Sequence, residues 1–231
     1  MHDLRDLTGA TIAFDLDGTL VDTAPDLVGT LNIVLAEEGL PPVPFDEARP
    51  MIGRGARALL ERGFTAAGEP LDGPRSNALV TRFVDLYLGR IADESAPFPG
   101  VTETLAALRD AGARLSVCTN KRTNLSLALL DALGLSPLFD AIVGADAAPA
   151  SKPDPRHLFT AVEQAGGDTG RAVFVGDSET DISTARNARL PIVAVTFGYT
   201  EAPCADLGPD ALIDSFEELP SAVTRLLASQ Y

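Results

Sequence analysis

Four short apolar, β-rich runs stand out along the chain, each ending on polar or glycine residues: Thr11 to Leu16, Leu115 to Thr119, Ala172 to Gly176 and Ile192 to Val195. Continuous apolar runs of this length predict parallel strands buried on both faces. Between them the apolar positions fall at helical spacing, over Val101 to Ala111, Asn124 to Leu133 and Pro155 to Ala165. Glycines close all three (Gly112, Gly134, Gly166 with Gly167), as expected where a helix ends. Ala141 to Val143 and Ala211 to Ile213 are weaker strand candidates, and Phe216 to Leu227 reads as a closing helix. Strand and helix alternate. That alternation predicts an α/β domain with a mainly parallel sheet, whose ligands sit beyond the C-terminal ends of the strands.

From about Val21 to Pro97 the alternation stops, and several helical segments follow one another with no convincing strand. The first starts near Pro25, carries Leu27, Leu31, Val34 and Leu35 on one face, and stops at Gly39. Arg57 to Arg62 and Leu79 to Ile91 also have helical spacing. The expected organisation is a core formed by residues 1–20 and 98–231, with residues 21–97 as an all-helical insertion. Two connectors, near Asp22 and Phe98, would let such an insertion open and close over a site.

With 231 residues, 45% hydrophobic and 22% charged, the chain can bury a sizeable core and is not a disordered one. A formal net charge of −15 argues against nucleic acid or an anionic membrane as partner, because both require a basic face. Any phosphate must therefore be held locally, by a cation and a few placed basic residues. The N-terminal MHDLRDLTGA lacks the pattern of a secretory signal, and no eighteen apolar residues run together, so a soluble, cytoplasmic protein is expected. Cys118 and Cys204 are too few and too far apart for a disulfide framework or a zinc site. His2 and His157 are the only histidines, which leaves little support for a histidine-based mechanism; His157 is expected to serve in packing.

The segment TIAFDLDGTLVDT delivers Asp15 and Asp17 at a strand's C-terminal end, followed at once by Gly18 and Thr19. Two carboxylates at i and i+2 share one face while a strand lasts. Such a pair calls for a cation or for one protonated acid, and a magnesium ion with oxygen ligands would relieve the repulsion. Taken alone, Asp-x-Asp-Gly reads equally well as a surface turn. Three further strand-end features shift that balance. LSVCTN places Thr119 and Asn120 where an α/β sheet binds ligands, although each alone reads as a cap or turn residue. In SKPDP, two prolines stiffen the loop after Lys152, which alone would be a solvated charge. AVFVGDSETD ends a strand with Asp177 and sets Asp181 in the first turn of a helix, where capping explains one acid but not the whole arrangement.

In order and position, these four segments resemble the four-part signature of the haloacid dehalogenase-like hydrolase superfamily and its phosphatases. The resemblance implies a Rossmann-like core with an inserted helical cap. It implies that Asp15 is the nucleophile, forming an aspartyl-phosphate, and that Asp17 alternates between acid and base. The dehalogenase and phosphonatase branches lack an Asp at the Asp17 position, so phosphoryl transfer is favoured. The Asp15 carboxylate, the Asp17 backbone carbonyl and Asp177 would hold Mg²⁺, with Asp181 orienting them. Thr119, Lys152, the backbone N–H groups following Asp15 (Gly18 included) and Asn120 would hold phosphate oxygens.

Among capped phosphatases, DLDGTLVDTAPDL, IGRGARALL and FPGV are most similar to the bacterial phosphoglycolate phosphatases, which implies 2-phosphoglycolate as substrate. Gly53, Arg54 and Gly55 would lie on a cap loop. Arg54 there is either a partner for a substrate carboxylate or a solvated helix-start residue; the resembling group carries a neutral residue between the glycines. Other readings are a phosphatase of a sugar phosphate or nucleotide, a pyrophosphatase, or a phosphate-binding interaction protein on the same fold. A hexose-phosphate mutase would need acid and base groups in the cap, where no convincing set is found. A response-type receiver domain is disfavoured by the length and the insertion. The expected partner is a small phosphorylated metabolite, and the expected state a monomer or homodimer.

Overall fold

A computed structural model describes residues 7–71 and 73–229; His2 and most of the N-terminal segment read above lie outside them. The central sheet holds six parallel strands: β1 (Thr11–Phe14), β4 (Arg114–Cys118), β5 (Ala141–Val143), β6 (Ala172–Gly176), β7 (Ile192–Val195) and β8 (Ala211–Ile213), in the order β5-β4-β1-β6-β7-β8. All four residues of β1 and all five of β6 are buried, as expected of central strands covered on both faces. β1 lies between β4 and β6, with Phe14 level with Val117 on one side and Val175 on the other. The residues that follow these three strands therefore emerge side by side.

Helices α5 (Val101–Asp110), α6 (Thr123–Ala132), α7 (Pro155–Gln164), α8 (Glu179–Ala188) and α9 (Leu219–Ala228) flank the sheet. One face of the sheet packs in a cluster with Val101, Leu105, Leu108, Phe216 and Val223, and the other in a cluster with Leu158, Val162, Ile182 and Ala185. The run from Phe216 is divided: Phe216–Glu218 form a 3-10 turn before α9, with the Ser215 hydroxyl accepting from the Glu217 amide.

The stretch after β1 is helical, with α1 (Ala24–Glu37), α2 (Phe45–Ala48), α3 (Ala56–Ala66) and α4 (Gly73–Leu88). Leu31, Leu35, Leu60, Phe64, Phe83 and Tyr87 fill a core of their own within it. Against expectation, the connectors pair: β2 (Val21–Asp22) and β3 (Ala96–Pro97) form a two-residue antiparallel ribbon at the base of the insertion. A second difference lies in β1, which ends at Phe14, so that Asp15 and Asp17 stand beyond the strand. Its ladder is nevertheless carried one residue further by the Asp15 amide donating to the Val175 carbonyl at 2.9 Å.

Candidate active site

Beyond β1, Asp15 is 3% exposed and its Oδ1 lies 2.9 Å from Lys152 Nζ. The same ammonium, whose side chain is fully buried, lies 2.7 Å from Asp181 Oδ1 and over the Phe174 ring. Asp177 follows β6; its Oδ1 accepts from the Thr19 hydroxyl at 3.0 Å and its Oδ2 from the Tyr199 amide at 2.7 Å. Ser178 and Asp181 form a capping box at the start of α8, and Asp181 Oδ2 also accepts from the Asp177 amide. Asp181 is thus engaged on both oxygens, an arrangement that orients its neighbours.

Asp15, Asp177 and Asp181 bring carboxylate oxygens within 4.8 Å of one another, all three buried. Burial, opposed by Lys152 and reinforced by Asp181, raises the Asp15 carboxyl to about 7. Burial together with Asp181 and Asp15 raises Asp177 to about 8. Three acids facing a single ammonium lack positive charge. A divalent cation with oxygen ligands supplies it, so the donor set fits a hard metal such as Mg²⁺.

Asp17 stands outside this trio. Its Oδ1 accepts from the Thr23 hydroxyl at 2.7 Å and from Lys121 Nζ at 2.7 Å. Thr23 is the residue before α1, yet its hydroxyl serves Asp17 and caps nothing. Lys121 is 7% exposed, and its ammonium also lies 4.6 Å from the centre of the Tyr87 ring. Burial alone would lower the Lys121 pKa, but Asp17 and then Tyr87 outweigh it and hold the ammonium charged. Sequence reasoning missed Lys121, because a lysine between a strand end and a helix reads as a solvated charge.

Of the other expected site residues, Thr119 is buried after β4, its hydroxyl accepting from the Lys121 amide. Asn120 acts as a fastener: its Oδ1 accepts from the Lys152 amide, while its Nδ2 donates to the Lys152 and Gly53 carbonyls. It ties the lysine loop to the helical insertion. The Gly18 amide donates to the Val21 carbonyl at 3.0 Å, closing the turn after Asp17. Gly53 and Gly55 have positive φ and stand next to Asn120, whereas Arg54 is exposed and faces clefts shared with Glu179 and Thr180. His157 is fully buried, with Nε2 3.1 Å from the Val143 carbonyl, and burial lowers its pKa to about 4.

Tyr199 was not singled out from the sequence and joins site to insertion. Its hydroxyl accepts from the Thr23 and Ala24 amides and donates to Asp22, while its own amide holds Asp177. The preceding Gly198 leaves no room for a side chain, since a Cβ there would lie 2.2 Å from Asp177 Cβ and 2.3 Å from its Oδ2. Gly198→Ala is therefore expected to displace Asp177, at a cost of about 1–3 kcal/mol in stability. Calorimetric titration with Mg²⁺ should show affinity weakened at least ~10-fold, the low end for loss of a supporting partner; an unchanged isotherm would exclude the displacement.

A parallel sheet with an inserted helical cap, and buried acids and a lysine gathered at its strand ends, defines a capped α/β hydrolase. The family model for haloacid dehalogenase-like hydrolases matches residues 12–195. A phosphoglycolate phosphatase of Caulobacter vibrioides is 66% identical over 229 residues, 99% of this chain and 97% of that one. Among solved structures, a predicted phosphoglycolate phosphatase from Haemophilus somnus 129PT superposes with a TM-score of 0.85 at 31% identity, covering 96% of this chain and 99% of that one. CbbY from Rhodobacter sphaeroides, solved in complex with phosphate, gives a TM-score of 0.79 at 26% identity, over 93% and 99% of the two chains. The chain belongs to the haloacid dehalogenase-like hydrolase family, and it is an enzyme. No helix among the described residues is long and apolar enough to cross a membrane.

Proposed function

We propose that this enzyme is a Mg²⁺-dependent phosphatase that hydrolyses 2-phosphoglycolate to glycolate and phosphate through a phosphorylated Asp15. The observation that carries the reading is the buried meeting of Asp15, Lys152, Asp177 and Asp181 at adjacent strand ends. The 66% identity to a phosphoglycolate phosphatase supports the choice of substrate.

An Asp15 oxygen attacks phosphorus and the bond from phosphorus to the glycolate oxygen breaks, with Asp17 giving its proton to that oxygen. Water then attacks the same phosphorus, its proton passes to Asp17, and Asp15 leaves as the free carboxylate. Lys152 and Thr119 hold the non-transferring oxygens in place, whereas the Gly18 N–H is already committed to the Val21 carbonyl. Asp15, Asp177 and the Asp17 carbonyl would hold Mg²⁺, with Asp181 orienting them, and the ion would neutralise charge on the phosphoryl group. Residues 21–97 serve as a cap over the site, moving on the paired connectors β2 and β3.

Phosphate release should be measured on a panel of small phosphates, with and without Mg²⁺. The expected result is a preference for 2-phosphoglycolate over sugar phosphates and nucleotides. Chelation should abolish activity and Mg²⁺ restore it, while saturating Mg²⁺ raises the melting temperature through its binding free energy, about 2.7 kcal/mol at 100 times Kd. Full activity in chelator would remove the ion from the mechanism. A flat, weak profile would remove the substrate.

A further inference from the structure

A cavity of about 50 Å³ lies beside Asp17, between the cap and the core. Its wall is mostly apolar, from Leu27, Ile52, Leu59, Phe83 and Leu125, yet Lys121 and Tyr87 also line it. Lys121 Nζ has three N–H groups, gives one to Asp17 and turns another toward Tyr87, which leaves one for a further acceptor. The Tyr87 hydroxyl is fully buried beside the Lys121 ammonium, and its O–H finds no acceptor among the described residues. An unpaired buried hydroxyl costs stability, and one lining a cavity next to a cation is a donor waiting for an anion. Size narrows the choice further. At ~10–15 Å³ for each water-sized group, the cavity admits about four such groups, enough for a two-carbon acid.

We propose that Lys121 and Tyr87 bind the carboxylate of the leaving group, making this cavity the specificity pocket of the enzyme. The inference rests on the phosphatase reading above and names the residues that select a carboxylate-bearing ester. It also assigns the carboxylate to the strand-end lysine and an α4 tyrosine, leaving Arg54 on an outer cleft. A buried cation with N–H capacity beyond Asp17, set beside a buried hydroxyl, rejects a neutral analogue, because that analogue leaves those donors unpaired. The position beside Asp17 suits the chemistry, since the oxygen to be protonated is two bonds from the carboxylate carbon.

The test compares kcat/KM for 2-phosphoglycolate and for 2-hydroxyethyl phosphate, in which a neutral CH₂OH replaces the carboxylate. The wild-type enzyme should prefer the acid at least ~100-fold. Tyr87→Phe, which keeps the ring and its packing, should reduce that ratio by ~10-fold, mainly through KM for the acid. Lys121→Met should nearly abolish the ratio, even though lost support for Asp17 lowers turnover on both esters. Arg54→Met should leave the ratio in place. Parallel losses on both esters in Tyr87→Phe and Lys121→Met would overturn the proposal, reducing both residues to structural support. A ratio that collapses in Arg54→Met would overturn it in favour of the cap loop. A wild-type enzyme active on both esters without preference would overturn this inference alone, whereas activity on neither would overturn the phosphatase reading as well.

Discussion

Asp15→Asn is expected to abolish turnover, by about ten-thousand-fold or more, the scale on which removing a nucleophile acts. The amide preserves shape and can still accept from the Leu16 amide, as Asp15 Oδ1 does at 2.7 Å. What it lacks is the anionic oxygen that attacks phosphorus. Stability in chelator should change as well, in its dependence on pH. Burial holds the Asp15 carboxyl near 7 in the folded protein, well above its unfolded value near 4. The folded state then binds more protons across that window, so metal-free stability falls as pH rises from about 4 to about 7. The amide cannot ionise, so the variant's melting temperature should fall less steeply over the same range. Phosphate release and melting curves at several pH values in chelator check both halves. Turnover near the wild-type level would refute the nucleophile.

The parts of the molecule legible in the sequence are those whose signal is local. Strands β6 and β7 fall where the apolar runs place them, because a strand buried on both faces has no polar position to blur its ends. Asp15, Asp17 and Asp177 were visible for a related reason: each stands just past the end of a run, and parallel neighbours bring run ends together, while Lys152 was marked by the prolines that follow it. Distant pairings left no such trace. The β2 and β3 ribbon has two residues on each side, too short for any periodicity, and its partners are separated by the whole helical insertion. Lys121 meets Asp17 across 104 positions, and its neighbours in sequence do not reveal that partner. The triplet of Thr119, Asn120 and Lys121 at a strand end was the one available signal, and only its first two members were read as functional. Tyr199 and Gly198 were equally silent, since their roles follow from close approach to Asp177, 22 residues away for the Tyr199 amide.

Lys152→Ala should cost both rate and stability, and the two losses should separate by condition. The ammonium, fully buried, is shared by Asp15 and Asp181. Removing it leaves two buried carboxylates without their cation, a loss of about 3–5 kcal/mol for a broken buried pair. That is a large share of the ~5–15 kcal/mol that holds a typical domain folded. Asp15 can escape part of the cost by taking up a proton, so the destabilisation should be greatest above pH 7 and shrink as the medium is acidified, because a protonated carboxyl needs no partner. Saturating Mg²⁺ should return part of the lost melting temperature by supplying charge to Asp15 and Asp177. It should not return the rate, since on the proposed mechanism the ion does not replace the N–H donors that Lys152 would offer the transferring group. A deficit of about 10²–10³ in kcat should therefore persist in Mg²⁺, the scale of one lost transition-state donor. Lys152→Arg should fail to rescue it, because a planar guanidinium cannot fit the space of a compact ammonium held between two carboxylates over the Phe174 ring. An unchanged kcat in Lys152→Ala with Mg²⁺ present would show that the lysine only balances charge in the fold and takes no part in holding the phosphoryl oxygens.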